Sequence, residues 1–126
     1  MPYKVSYDPD SAFIVTVFEG KLSLEELLAE EDESIALAIE NDTRKFLVDL
    51  VAYEGFISLI DLYEFPDRYE KKLRRPIYVA VVQPRSQEAR KDVMFYETIC
   101  NNRGWDIKIF ANKEDAVAWL ERMPQG

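Results

Sequence analysis

Histidine is absent from the 126 residues. That removes the commonest general acid–base side chain and the commonest metal ligand. A single cysteine, Cys100, permits no internal disulfide and suits a reducing compartment, so a cytoplasmic location is expected. With no histidine to activate it, Cys100 reads as a buried structural thiol. No apolar run approaches the roughly 20 residues of a spanning helix, so the chain is expected not to cross a membrane. The N-terminus lacks the basic, apolar and small-residue succession of a signal peptide, and none is expected. Positive charge is scarce: 16 Lys and Arg against 24 Asp and Glu leave a net charge of −8. Phosphate binding needs a net positive face, so a general nucleic-acid role is not expected.

What is present is globular. An apolar content of 48% with 32% charged residues supplies enough hydrophobic surface to escape disorder. The length predicts one domain over residues 1–126, large enough to bury its own core. The organising stretch is Phe46-Leu47-Val48-Asp49-Leu50, a short apolar run between Arg44-Lys45 and the glycine-containing connection Ala52-Tyr53-Glu54-Gly55. Such a run reads as a strand buried on both faces.

Around it the chain reads in order. Tyr3–Tyr7 alternates like an edge strand, and Asp8-Pro9-Asp10-Ser11 is turn chemistry. Phe13–Phe18 completes a hairpin that Gly20 ends. Ser23 and Glu26 form a capping box for a helix over Leu24–Glu40. Leu24, Leu27, Leu28, Ile35, Ala38 and Ile39 fall mainly on its inward face. After the Lys45–Leu50 strand, Ser58 opens a second helix, broken or kinked at Pro66, with Asp67–Leu73 as a short continuation. Ile77–Val82 is a second central strand. A third helix runs over Gln87–Asn102 and stops before Gly104. Asp106–Phe110, polar at alternate places, is nearer an edge. Asn112 caps the last helix, packed through Ala116, Val117, Trp119 and Leu120. The order β-β-α-β-α-β-α-β-α predicts an α/β fold: a mostly parallel five-stranded sheet with an N-terminal antiparallel hairpin strand.

Four stretches resemble the STAS family of anti-sigma-factor antagonists, and more closely the uncharacterised STAS-like proteins that share the SpoIIAA-like fold. Gly20-Lys21-Leu22-Ser23 is similar to the "G-x-L-[ST]" lead-in to the first helix. Leu47-Val48-Asp49-Leu50 is similar to the central "LVDL" strand. Ile77–Val82 is similar to the following strand. Phe110 with Ala116, Trp119 and Leu120 is similar to the closing "F-x(5)-A-x-x-WL" pattern. The resemblance implies a SpoIIAA-like fold and a non-catalytic regulatory module that binds a protein partner. In the family a "D-S-[ST]-G" stretch follows the central strand, and its first serine is phosphorylated to switch binding. Counting from Asp49, that serine falls on Ser58; Ile57, Leu59 and Ile60 stand where the family has aspartate, a second hydroxyl and glycine.

The candidate sites follow. Ser58 is either a helix cap or a phosphoacceptor at a helix N-terminus. Phe56, Ile57, Leu59, Leu62 and Tyr63 are either core or a surface for a protein partner or a small apolar ligand. Arg68, Lys71, Lys72, Arg74 and Arg75 form a basic cluster that is either a solvated helix end or an anion contact. The acidic run from Glu25 to Glu33 reads as a solvated face. Asp49 reads as a cap for the neighbouring loop, with a catalytic carboxylate as the alternative. No nucleophile–base pair, phosphate loop or metal-ligand spacing is visible, so neither catalysis nor a cofactor or metal is expected. A carrier of an apolar or lipid ligand, related in architecture to the CRAL-TRIO proteins, is the alternative function. It predicts an enclosed apolar cavity, whereas a protein-binding module predicts a filled core. Self-association to a homodimer is left open.

Overall fold

The turn after Asp8 sets the first pair of strands. The computed structural model describes residues 2–56, 71–73 and 76–124. Asp8 accepts from the Asp10 amide at 3.1 Å and from the Ser11 hydroxyl at 2.9 Å, and its carbonyl accepts from Ala12 at 2.8 Å. Ala12 takes the left-handed conformation, φ 64°. This reverses the chain between β1 (Tyr3–Asp8) and β2 (Phe13–Leu22), which pair antiparallel. β3 (Lys45–Phe56), β4 (Tyr78–Val82) and β5 (Asp106–Phe110) then add in parallel, giving the five-stranded order β1-β2-β3-β4-β5. The expected mostly parallel five-stranded sheet with its antiparallel first strand is observed, with Phe46–Leu50 in the middle strand.

Each helix begins where the sequence supplies a cap. For α1 (Leu24–Glu40), the Ser23 hydroxyl accepts from the Glu26 amide at 3.2 Å, and the Glu26 carboxylate accepts from the Ser23 amide at 2.9 Å. α2 (Gln87–Asn102) is capped by Ser86, which accepts from Ala89, and α3 (Lys113–Arg122) by Asn112, which accepts from Asp115 at 2.9 Å. Such caps are worth about 1 kcal/mol each, and they fix where a helix starts more than how stable it is. At the far end of α1 the Thr43 amide donates to Ala38 and its hydroxyl to the Ala12 carbonyl at 2.6 Å. The helix end is thereby tied to the hairpin turn.

Successive residues of a strand face opposite sides, and the two sides are covered differently. Ile14, Phe18, Phe46, Leu50, Val79 and Val81 pack with residues of α1 and α2. Phe13, Leu47, Ala80 and Val82 pack with Ala116 and Leu120 of α3. All five residues of β4 are buried, as an interior strand between two helical layers requires. Lys45, the first residue of β3 as expected, is buried on the α3 side, its Nζ 5.9 Å from the centre of the Phe13 ring. Burial lowers its pKa, which Glu121 partly counters. Among the described residues no helix is long and apolar enough to cross a membrane.

Three expectations are corrected. Gly20 does not end β2, and Ala52–Gly55 is not a connection: both strands continue, and Glu19–Leu22 pairs with Ala52–Phe56. The pairing shifts register between Val17 and Glu19 and again between Gly20 and Lys21, so β3 carries extra residues and bends without separating. Gly20 (φ 67°) and Gly55 (φ 117°) supply backbone conformations that other residues rarely adopt. Leu24 and Ile39, expected inward, are exposed. Leu27, Ile35 and Ala38 of the expected face are buried, and the buried stripe of α1 also takes in Glu30, Glu31 and Ser34.

A Cβ at Gly55 would also lie 3.4 Å from Asp92 Oδ2 on α2. Gly55→Ala should therefore destabilise the fold by about 1–3 kcal/mol. The check is the urea midpoint, read with an unchanged m-value; an unaltered midpoint would contradict the strained position assigned to Gly55.

Candidate functional site

Most of the residues singled out in the sequence lie outside the described set: Ile57, Ser58, Leu59, Leu62, Tyr63, Arg68, Arg74 and Arg75, and the side chain of Phe56. Lys71 and Lys72 are exposed, in helical backbone just ahead of buried Leu73. What the described residues fix is the platform from which that segment departs. β3 ends at Phe56, opposite Leu22 and one residue from the Ser23 cap of α1. The segment from Ile57 onward therefore leaves the carboxyl end of the middle strand beside the N-terminus of α1.

That carboxyl end is held by main-chain contacts. Asp49 Oδ1 accepts from the Val51 amide at 3.0 Å; the bond is the local side-chain-to-backbone kind expected, but it lies within β3 and caps no loop. Its side of β3 carries Lys45 and Leu47 and faces α3. The loop after β4 is pinned twice, by Gln83 donating to Phe110 at 2.9 Å and Arg85 donating to Val51 at 3.2 Å. Arg90 Nε then donates to the carbonyl of buried Pro84 at 2.7 Å. Each bond contributes about 1 kcal/mol. Together they fix α2 against the ends of β3 and β5.

On the opposite side of the sheet, between α1 and α2, lies a partly open cavity of about 110 Å³. Its floor is apolar: Val48 and Leu50 of β3, Val79 and Val81 of β4 and Ile107 of β5 line it. Aromatic walls come from Phe18, Phe46, Tyr96 and Trp105. The polar lining is concentrated in four residues, Thr16, Glu30, Glu31 and Tyr53.

The two glutamates correct the sequence reading. The acidic run was expected to be a solvated face, but Glu30 is 7% exposed and Glu31 2%. A buried, uncompensated carboxylate costs several kcal/mol, and both side chains engage in polar interactions. The signal was available. Positions 27, 31, 34 and 38 follow helical spacing, and two of them are polar, so a core stripe interrupted by Glu and Ser was readable in the sequence.

Tyr53 reaches this site because β3 continues through Ala52. It is buried, and its ring packs against Phe18 with centroids 6.0 Å apart and planes tilted by 55°. Burial first, and the charge of Asp92 second, raise its pKa well above the ordinary 10.0. The hydroxyl therefore stays neutral and can donate at any physiological pH. Tyr3, near the outer edge of the same layer, is also raised by burial and by Glu33, whose carboxylate it meets at 3.5 Å. Among the described residues no group of three or more Cys, Asp and Glu side chains is placed to hold a metal ion.

A scan of the sequence against family models finds no match, and a search of curated proteins finds none either. Solved structures do match in shape. A crystal structure of an uncharacterised DUF3478-family protein with a SpoIIAA-like fold, from Shewanella loihica, superposes with a TM-score of 0.61 at 18% identity, covering 94% of this chain and 91% of that one. An anti-sigma factor antagonist from Mycobacterium paratuberculosis superposes with a TM-score of 0.63 at 16% identity, covering 94% and 93%. The chain has the SpoIIAA-like, STAS-like fold, as the sequence resemblance implied.

A group whose folded-state pKa is raised stabilises the fold below its unfolded pKa, and that stability is lost as pH rises through the folded value. Tyr53 should thus contribute a loss of stability above pH 10.0. Tyr53→Phe should change stability at pH 7 by no more than about 1 kcal/mol while flattening the alkaline fall. Chemical denaturation at several pH values between neutrality and the alkaline limit measures this; equal alkaline slopes for the two proteins would contradict it.

Proposed function

We propose that this chain is a non-catalytic regulatory module that recognises a protein partner, in the manner of an anti-sigma-factor antagonist. The observation that carries the reading is the likeness to such an antagonist over almost the whole of both chains. Recognition runs through the segment that leaves β3: Phe56, Ile57, Ser58, Leu59, Leu62 and Tyr63. Fold alone does not carry function, and this segment's composition supports the reading beside that likeness. It combines a hydroxyl with a surplus of apolar and aromatic side chains, and these are the residue types that anchor interfaces. Ser58 is the position at which added phosphate would change binding, because a dianion at a helix start is favourable and one against an apolar partner is not. The basic residues Arg68, Lys71, Lys72, Arg74 and Arg75 supply an anion contact for an acidic partner or for that phosphate. The module acts in the cytoplasm.

The cavity favours a second reading, that the chain carries or senses a small, largely apolar ligand. A protein-binding module built only on its surface needs no such space, whereas a carrier does.

Native mass spectrometry of the protein purified from its own host tests the first reading. A co-purifying protein subunit is expected, lost in Leu59→Glu and reduced at least about tenfold in Ser58→Glu, which corresponds to about 1.4 kcal/mol. A chain that emerges alone and unmodified, or a partner retained equally by both variants, would contradict recognition through this segment.

A further inference from the structure

We infer that the cavity between α1 and α2 takes a neutral molecule the size of a single aromatic ring, in preference to a charged molecule or an extended acyl chain. This rests on the second reading above and names the ligand class that reading leaves open.

Close packing makes the space itself the first observation. Protein interiors hold few voids larger than a water molecule, and this one is about 110 Å³. Side chains around an unfilled space forfeit dispersion contacts, and the cost to stability grows with the volume left over. A guest of matching size and polarity restores those contacts. The roughly 150 Å³ engineered cavity that binds benzene sets the scale. One ring fits here, and the body of a long acyl chain does not.

Polarity narrows the class. Val48, Leu50, Val79, Val81 and Ile107 form a floor with no hydrogen-bonding side chain, and Val93 adds an apolar contact from α2. Of the polar lining residues, Glu30, Glu31 and Tyr53 already interact with other groups of the protein. Among the described lining residues there is no Lys or Arg. What the cavity offers a guest is therefore mainly apolar contact area. A charged guest would leave its hydration shell for largely apolar walls, a transfer that is costly without full pairing. A neutral ring meets no such penalty.

The walls then favour an aromatic guest over a saturated one. Phe18, Phe46, Tyr96 and Trp105 line the cavity, and they come from separate parts of the chain. Rings prefer tilted or offset contacts with one another, and such contacts add to the area they bury. Phe18 and Tyr53 already show the tilted arrangement, at 6.0 Å and 55°. A guest ring among these side chains gains the same kind of contact, which a saturated ring of equal size does not.

Toluene decides the matter when set against methylcyclohexane, benzylamine, benzoate and dodecanoate. Each is titrated into the isotopically labelled full chain and followed by amide chemical shifts. Toluene is expected to shift Val48, Val81, Val93 and Ile107. It should bind at least about threefold more tightly than methylcyclohexane and at least about tenfold more tightly than benzylamine or benzoate. Dodecanoate should leave those amides unmoved. Val93→Phe, which adds a ring to the cavity wall, should weaken toluene at least about tenfold by occupying its space. Should that variant not fold, the ranking of the five probes on the unaltered chain carries the decision. A folded Val93→Phe that binds toluene as the unaltered chain does overturns the assignment. Any of the other four probes binding in the cavity as tightly as toluene also overturns it and leaves the ligand-carrier reading standing. No shift of those amides with any probe overturns the assignment and the carrier reading together.

Discussion

The pairing of Ala52–Phe56 with Glu19–Leu22 is the interaction on which the sheet's carboxyl end depends. β4 pairs with β3 only as far as Asp49, so beyond that point β3 has one strand neighbour. It stays in the sheet by taking up extra residues as irregularities. In a regular strand a shift of one position turns every side chain to the opposite face. Here β3 takes up two such shifts, the first of them ahead of Tyr53. Phe46, Val48 and Leu50 face α1 and α2, and the irregularity returns odd-numbered Tyr53 to the same side. A regular β3 would have put Tyr53 toward α3, and the cavity would lack both that hydroxyl and the ring that packs on Phe18.

The parts of this architecture that were legible in the sequence have local causes. Ser23 with Glu26, Ser86 and Asn112 each mark a helix start, and all three are caps in the structure. Asp8-Pro9-Asp10-Ser11 reads as a turn and makes one through its own side chains. The apolar runs at 46–50 and 78–82 read as buried strands because nothing but a two-sided core accommodates them. The parts that were not legible depend on partners distant in the chain. Gly55 reads as punctuation, yet here it is a strand residue at a positive φ, close against Asp92 of a helix some forty residues on. Glu30 and Glu31 read as solvated because charge usually is; the spacing of positions 27, 31, 34 and 38 marks a stripe but does not say which way it faces. Their burial follows from the rotation of α1, which the hairpin contact through Thr43 and the core contacts of Leu27 and Ala38 determine. The cavity is a property of how α1 and α2 meet the sheet, and no single segment encodes it.

The two readings of function draw on different parts of one structure. The segment following Phe56 leaves beside the N-terminus of α1, and α1 contributes Glu30 and Glu31 to the cavity two turns further on. A single helix thus starts beside the end of β3 and also lines the cavity. The other side of the sheet, closed by α3 through Ala116 and Leu120, has a conventional apolar core apart from Lys45, and it serves as the rigid backing.

The claim that β3 runs unbroken to Phe56 is tested most directly by amide hydrogen exchange at single-residue resolution. If it does, Tyr53 and its neighbours in Ala52–Phe56 that donate to β2 exchange slowly, with opening free energies close to those of Phe46–Asp49. If Ala52–Gly55 is instead a connection, its amides exchange within seconds at neutral pH while Phe46–Asp49 remain protected. That result would remove Tyr53 from the cavity and contradict the account.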